Sequence, residues 1–263
     1  MELGLKDRVA IVAAASKGLG KAVAFGLARE GARLALCARG EETLNATAEE
    51  IRRETGAEVL AIVADVTKPE EVKRLVEETI RRFGRIDVLV NNAGGPPGTT
   101  FLQSSPEQFQ QAIDLNLMST IRLCKEVVPY MLREHWGRIV NIVSLSAKQP
   151  LPGLILSNTA RPGVLGLTKT MSNELAKEGI LINSVCPGYT LTDRVAEINA
   201  ANALRKGITA EEEMKGVADR IPMGRLGRPE ELANVVVFLA SERASYVTGA
   251  AVQVDGGQYA ALS

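Results

Sequence analysis

The stretch from Val9 to Gly20, VAIVAAASKGLG, sets an all-apolar run against a turn of serine, lysine and two glycines. An apolar run of this length closed by turn residues reads as a strand covered on both faces. The residues after it, Lys21 to Glu30, read as a helix closed by Gly31. A strand that feeds a helix through a tight glycine turn aims backbone N–H groups and the positive helix end at one point, where a pyrophosphate can sit. Gly-Leu-Gly alone is a weak signal, so its weight depends on what surrounds it.

Working outward, the alternation repeats with a period of roughly thirty residues, the length of a right-handed βαβ unit. Arg33 to Ala38 is a strand, Glu41 to Thr55 a helix with Leu44, Ala48 and Ile51 on one face, and Glu58 to Val63 a strand. Val72, Leu75, Val76, Ile80 and Phe83 follow helical spacing, and Ile86 to Val90 is again all apolar. A long helix is expected from about Pro106 to Glu134, strands at Arg138–Val143, Leu181–Val185 and Ala251–Val254, and helices at Pro162–Lys177 and Pro229–Leu239. The segment 189–228 is too long for an ordinary connection and carries two short helical patterns, which makes it a candidate lid. No linker interrupts the pattern, so residues 1–263 are expected to form a single α/β domain, an open parallel sheet between helices.

Composition narrows the partners. The chain has 263 residues, 46% of them apolar, enough for a continuous core, and its 31 Lys plus Arg balance 31 Asp plus Glu. Neither sign is gathered into a long run, so neither nucleic acid nor an anionic membrane is the expected partner; a small molecule is. Cys37, Cys124 and Cys186 are far apart, odd in number and set among apolar residues, which suits reduced thiols in the cytoplasm and gives no metal cluster. No window approaches the roughly twenty apolar residues of a membrane span.

Three segments fall at carboxyl ends of strands, where ligands of open parallel sheets bind: Ser16 to Gly20, Asp65-Val66, and Asn91-Asn92-Ala93-Gly94. Together with Asn116, Ser144, Pro187-Gly188, Thr192 and Asp255-Gly256-Gly257, these make the chain closely resemble the short-chain dehydrogenase/reductase family over nearly its whole length, in particular its 3-oxoacyl-[acyl-carrier-protein] reductases. The resemblance implies a Rossmann-type doubly wound fold with a seven-stranded parallel sheet in the order 3-2-1-4-5-6-7. It also implies a homotetramer, or a homodimer, built through the long helices and the segment Val247 to Val254. Asp65 resembles the residue that holds the adenine amino group, with Val66 beside it. Asn92, Ala93 and Gly94 resemble the wall beside the adenosine ribose, and Pro187, Gly188 and Thr192 the nicotinamide carboxamide contacts. Each has a plainer use as well: Asp65 as a cap, Asn92 as a tie between loops, Pro187-Gly188 as a turn.

The turn departs from the family pattern, with Ala13 for the usual threonine and Ala14 for the first glycine. With φ negative at Ala14 the turn survives with slight rearrangement; with φ positive it is strained. Ala14, Ser16, Lys17, Gly18, Leu19 and Gly20 are the expected phosphate contacts. At the end of the second strand Ala38 is followed by Arg39, with Lys17 across the turn. Two cations without a carboxylate there point to NADP(H) over NAD(H), because a guanidinium grips a 2′-phosphate through two charge-assisted bonds. The plainer alternative is a solvated Arg39.

At the reaction end the family motif has a serine, a tyrosine thirteen residues later and a lysine four beyond. Ser144 matches the first; anchored on Gly163 to Lys169, the other two positions fall on Ser157 and Arg161. The family's phenol donates a proton to a carbonyl as hydride arrives, and its lysine lowers the phenol's pKa from about 10. A serine hydroxyl is a far weaker acid, and an arginine stays charged, so Arg161 can orient ribose, stabilise an enolate or bind a carboxylate but not exchange protons. Pro162 disfavours helical geometry at Arg161, which leaves open whether Ser157 and Arg161 share a face. Asn116 and Ser144 resemble the water-holding and carbonyl-orienting residues. Tyr189 is the candidate substitute acid, or an aromatic lid residue, and His135 reads as structural. The reading ranked first is an NADP(H)-dependent carbonyl reductase with an atypical centre of Asn116, Ser144, Ser157 and Arg161. The alternatives are an NADP(H)-binding sensor or partner subunit without turnover, and elimination or decarboxylation steered by Arg161.

Overall fold

The computed structural model describes residues 2–262, so Met1 and Ser263, the ends of the expected 1–263 domain, lie outside the described residues. Seven strands form one parallel sheet: β1 (Val9–Ala13), β2 (Arg33–Ala38), β3 (Val59–Val63), β4 (Val88–Asn91), β5 (Gly137–Ile142), β6 (Ile180–Pro187) and β7 (Ala251–Val254). Their order is β3-β2-β1-β4-β5-β6-β7, as the family resemblance implies. β1 lies at the centre, with Val12 in register with Leu36 of β2 on one side and Val90 of β4 on the other.

The two faces are covered separately. Helices α1 (Gly18–Arg29), α2 (Glu41–Thr55) and α10 (Pro229–Ala240) bury Leu27, Leu44, Ile51 and Val236 against Val12, Leu36 and Val140. On the other face α3 (Pro69–Phe83) places Leu75, α5 (Ser119–Glu134) places Leu123 and Met131, and α7 (Pro162–Leu175) places the partly buried Met171 and Leu175 in one cluster with Ile11, Ala35 and Ile139. Each fully buried aliphatic side chain contributes about 1.5–3 kcal/mol, so this double cover is the main source of stability. The helix ends follow charge and backbone chemistry. α3 opens with Pro69, Glu70 and Glu71 and closes with Arg81 and Arg82, each sign at the end of the helix dipole that favours it.

Four local differences from the expected pattern bear on the site. α1 begins at Gly18 rather than Lys21, so the glycine turn is itself the first turn of the helix. The long helix is not continuous: α4 (Pro106–Ile113) and α5 are joined by a π-helical turn at Asp114–Met118, braced by an Arg122–Asp114 ion pair of 2.6 Å. Such turns recur at functional positions because they re-aim side chains. A short helix, α6 (Ile155–Ala160), precedes α7. At the junction Arg161 stays in the right-handed helical region despite Pro162, with φ −80° and ψ −28°. Its N–H donates to the Ser157 carbonyl at 3.1 Å, and Ser157 and Arg161 share a face.

The segment 189–228 holds α8 (Asp193–Lys206) and α9 (Ala210–Ala218), the two helices expected there, tied by Lys206 Nζ to the buried carboxylate of Glu213 at 2.7 and 2.9 Å. All three cysteines are buried and unpaired, and burial pushes the thiols of Cys37 and Cys124 up to about 12. Among the described residues no helix is long and apolar enough to cross a membrane, and no group of three or more His, Cys, Asp or Glu is placed to hold a metal ion. His135 caps the C-terminus of α5 with φ +47°, near Glu178 and away from the cleft described next.

Candidate functional site

The carboxyl ends of β1, β4, β5 and β6 open into one cleft of about 670 Å³. Of the residues singled out in the sequence, Ala14, Ser16, Lys17, Gly18, Leu19, Arg39, Asp65, Val66, Asn92, Ala93, Gly94, Ser144, Ser157, Arg161, Pro187, Gly188, Tyr189 and Thr192 line it. Gly20 and Asn116 do not: Gly20 lies buried beneath the turn, and Asn116 lines a small cavity behind the cleft.

Ala14 leaves β1 with φ +49°, the strained one of the two alternatives. This left-handed conformation costs a residue with a Cβ about 1–2 kcal/mol. Close backbone packing holds it there. A Cβ at Gly20 would lie 2.3 Å from the Ala14 carbonyl oxygen, so only glycine lets the first turn of α1 approach β1 so nearly. Asn92 Nδ2 donates to the same carbonyl at 3.4 Å, the loop-tying role, while its residue also lines the cleft. The first N–H groups of α1 have no partners within the helix, and Gly18 and Gly94 face the cleft without side chains. A Cβ on Gly94 would meet nothing within 4 Å. The backbone is thus open to a phosphate and a ribose where a dinucleotide needs them, and the residues present fit that group.

Where β3 ends at the cleft, Asp65 Oδ1 accepts hydrogen bonds from Thr67 N at 2.9 Å and Thr67 Oγ1 at 2.8 Å, so its turn-forming use is present. Partial burial raises its pKa. The Thr67 hydrogen bonds and the charges of Arg39 and Lys68 outweigh that and hold the carboxyl below its ordinary value. Lys17 and Arg39 are exposed, and among the described residues neither has a hydrogen-bond or ion-pair partner that would occupy its charge.

Beyond the end of β5, Ser144 caps a short 3₁₀ turn, and its Oγ accepts the Ser146 N–H at 3.0 Å, which leaves its own proton to donate. Ser157 is buried, with its Oγ 2.8 Å from Ser146 Oγ. Arg161 is 8% exposed; its Nη1 donates to the Val143 carbonyl, and its Nε has no partner. Burial, and secondarily the nearby charge of Arg194, push its pKa down to about 10, so it remains a cation at neutral pH. Behind it, Asn116 Nδ2 donates to the Gly94 carbonyl at 3.0 Å, aimed there by the π turn, whose Asn116 carbonyl accepts instead from Thr120 Oγ1 at 3.0 Å. Asn91 Oδ1, Asn116 Oδ1 and Arg161 Nε belong to residues lining a cavity of about 10 Å³.

The segment 189–228 completes the wall. Thr192 Oγ1 accepts from Val195 N at 3.4 Å and caps α8, and its methyl reaches back to Gly18, 3.5 Å from where a Cβ would be. Tyr189 lines the cleft while packing on the apolar cluster of Val217, Ile221 and Leu226. Two residues went unnoticed in the sequence. Ser146 is two positions beyond Ser144, and that spacing was the available signal. Arg194, whose Nη2 donates to the Pro96 carbonyl at 2.7 Å, looks in sequence like any solvated base at the start of a helix.

A family model described as Enoyl-(Acyl carrier protein) reductase matches residues 13–258. The 3-oxoacyl-[acyl-carrier-protein] reductase FabG of Staphylococcus epidermidis is 36% identical over 254 residues, covering 96% of this chain and 99% of its own. The 3-oxoacyl-[acyl-carrier-protein] reductase of Synechocystis sp. is 38% identical over 255 residues, covering 96% and 97%. Among solved structures, L-sorbose reductase from Gluconobacter frateurii, complexed with NADPH and L-sorbose, matches with a TM-score of 0.96 at 35% identity over 100% of both chains.

Proposed function

The chain belongs to the short-chain dehydrogenase/reductase family, and from that premise we propose that it is an NADP(H)-dependent oxidoreductase reducing a carbonyl, on a 3-oxoacyl thioester or similar ketone, to an alcohol. In this reading Ser157 and Arg161 stand where the family has its tyrosine and lysine. The observation that carries it is the meeting, in one cleft, of the glycine turn, the unpaired Lys17 and Arg39, and the group Ser144, Ser157 and Arg161. The relative with NADPH in its structure supports the same cofactor here.

The turn from Ala14 to Leu19, over Gly20, would hold the pyrophosphate, and Asp65, Val66, Asn92, Ala93 and Gly94 the adenosine. Pro187, Gly188 and Thr192 would hold the carboxamide, and Lys17 with Arg39 a 2′-phosphate. When bound, the dinucleotide supplies hydride, so that carbonyl, NADPH and a proton give alcohol and NADP⁺. The chain's own groups do the rest. Ser144 directs its free proton at the carbonyl oxygen and orients it. The guanidinium of Arg161, charged and poorly solvated, stabilises negative charge developing on that oxygen, which makes electrostatics rather than a tuned acid the main device. Asn116 braces Arg161 through the small cavity, and the lid 189–228 closes a single domain over the substrate. The proposal includes a homotetramer in a reducing cytoplasm.

A second reading, a dinucleotide-binding protein without turnover, draws on one observation: among the described residues the cleft is lined by one tyrosine, Tyr189, and one lysine, Lys17, which lies at the cofactor turn. The cofactor assignment is tested by titrating the protein with NADPH and NADH. The expectation is a preference for NADPH of roughly 10- to 100-fold, the worth of charge-assisted phosphate contacts, lost in Arg39→Ala. Equal affinities overturn it.

A further inference from the structure

A buried guanidinium is costly unless an opposite charge or a full set of hydrogen bonds compensates it. Arg161 has neither within the protein. Its guanidinium's one hydrogen bond is to a backbone carbonyl, and the titratable groups acting on it are Arg194 and the thiol of Cys186, which burial keeps protonated, with no carboxylate among them. Arg194 comes down from the first turn of α8 and packs its guanidinium on Gly95, where a Cβ would lie 2.9 Å from Nη2. Both arginines line the same cleft. Asp193 and Glu197 line it as well, on Arg194's own lid helix; Glu197 raises the pKa of Arg194, but burial lowers it by more. Two guanidiniums, one from the junction of α6 and α7 and one from α8, therefore line one cleft without an ion-pairing partner, and Arg161 lies beside Ser157 and the strand end that leads to Ser144. The cations suited to the cofactor's 2′-phosphate are different ones, Lys17 in the turn after β1 and Arg39 at the end of β2.

We propose that Arg161 and Arg194 together hold a carboxylate of the substrate, so that the carbonyl compound this protein favours is an oxo acid. The inference rests on the reductase reading for the reaction but not for the binding. Arg194 on α8 meets the anion directly, and Arg161, besides stabilising the carbonyl oxygen, adds its positive charge to the field that holds it. The planar, two-pronged geometry of a guanidinium matches a carboxylate better than an uncharged ester or amide.

The test uses the full chain saturated with NADP⁺ and three probes, pyruvate, acetoacetate and levulinate, each against its methyl ester, with calorimetric binding and NADPH oxidation as separate readouts. At least one acid should bind tenfold or more tightly than its ester. Arg194→Gln should weaken that acid by roughly 10- to 100-fold, change ester and NADP⁺ affinity less than about twofold, and be partly rescued by Arg194→Lys. The proposal is overturned if acids and esters bind alike. It is also overturned if Arg194→Gln weakens NADP⁺ as much as the acid, which would assign Arg194 to the cofactor phosphates. Acids that bind without NADPH oxidation leave the anion site standing and remove the reductase reading; ketones and esters reduced with no preference for acids do the reverse.

Discussion

At the scale of single residues the molecule keeps strain and unpaired charge where the cleft is. Ala14 holds φ +49° because its carbonyl is clamped against Gly20 and Asn92, and a glycine would take that conformation without the Cβ penalty. Ala14→Gly is therefore expected to raise stability by about 0.5–1 kcal/mol, the relieved strain less the added freedom of the unfolded chain. Denaturant unfolding measures it, and a loss of stability would show that the strain is not carried there. The sequence posed this position as two alternatives, since the sign of φ depends on how closely the helix approaches the strand. That distance is a tertiary quantity no local pattern encodes. The same holds for Arg161: its identity was legible, but the missing counter-charge became visible only once Arg194 stood near it.

At the scale of elements, the strands and most helices were legible because a doubly covered parallel sheet writes itself as short apolar runs bounded by turn residues. The π turn at Asp114–Met118 and the short helix at Ile155–Ala160 were not. The first hides inside an unbroken helical pattern, and the second is too short to show a period. The hinge between lid and α10 shows how an element is held. Glu231 accepts from both Arg225 amino groups at 2.7 and 2.8 Å and from the Arg228 N–H at 2.7 Å. The Arg225 hydrogen bond is the leading cause that lowers its pKa from 4.5 to about 2. A carboxyl whose folded pKa is depressed contributes stability that is present above the unfolded value and lost as pH falls toward the folded one. The protection factors of amides in residues 219–228, measured against intrinsic exchange at each pH, should thus fall between about pH 4.5 and 2, and Glu231→Gln should show lower protection already at neutral pH. Unchanged protection on acidification would mean that the segment is held by its apolar contacts alone.

At the scale of the whole molecule, the sheet order and the double helical cover follow the family pattern, and they bring together segments as distant in sequence as Gly18 and Thr192. The part of the cleft proposed for the cofactor was legible because it is built from backbone turns with short signatures, such as Ser16 to Gly20 and Asn92 to Gly94. The part proposed for the substrate was less so, because it is assembled from side chains on β5, α6 and the segment 189–228, whose meeting depends on how those elements pack. The central claim is that this cleft performs hydride transfer with Ser157 and Arg161 in place of a tyrosine and a lysine. It is tested most directly by incubating the protein with NADPH deuterated at C4 of the nicotinamide, together with acetoacetate or acetoacetyl-coenzyme A, and weighing the product. The prediction is an alcohol with deuterium on its carbinol carbon, formed in step with the loss of NADPH. Tight NADPH binding with no deuterated alcohol from either substrate would contradict it.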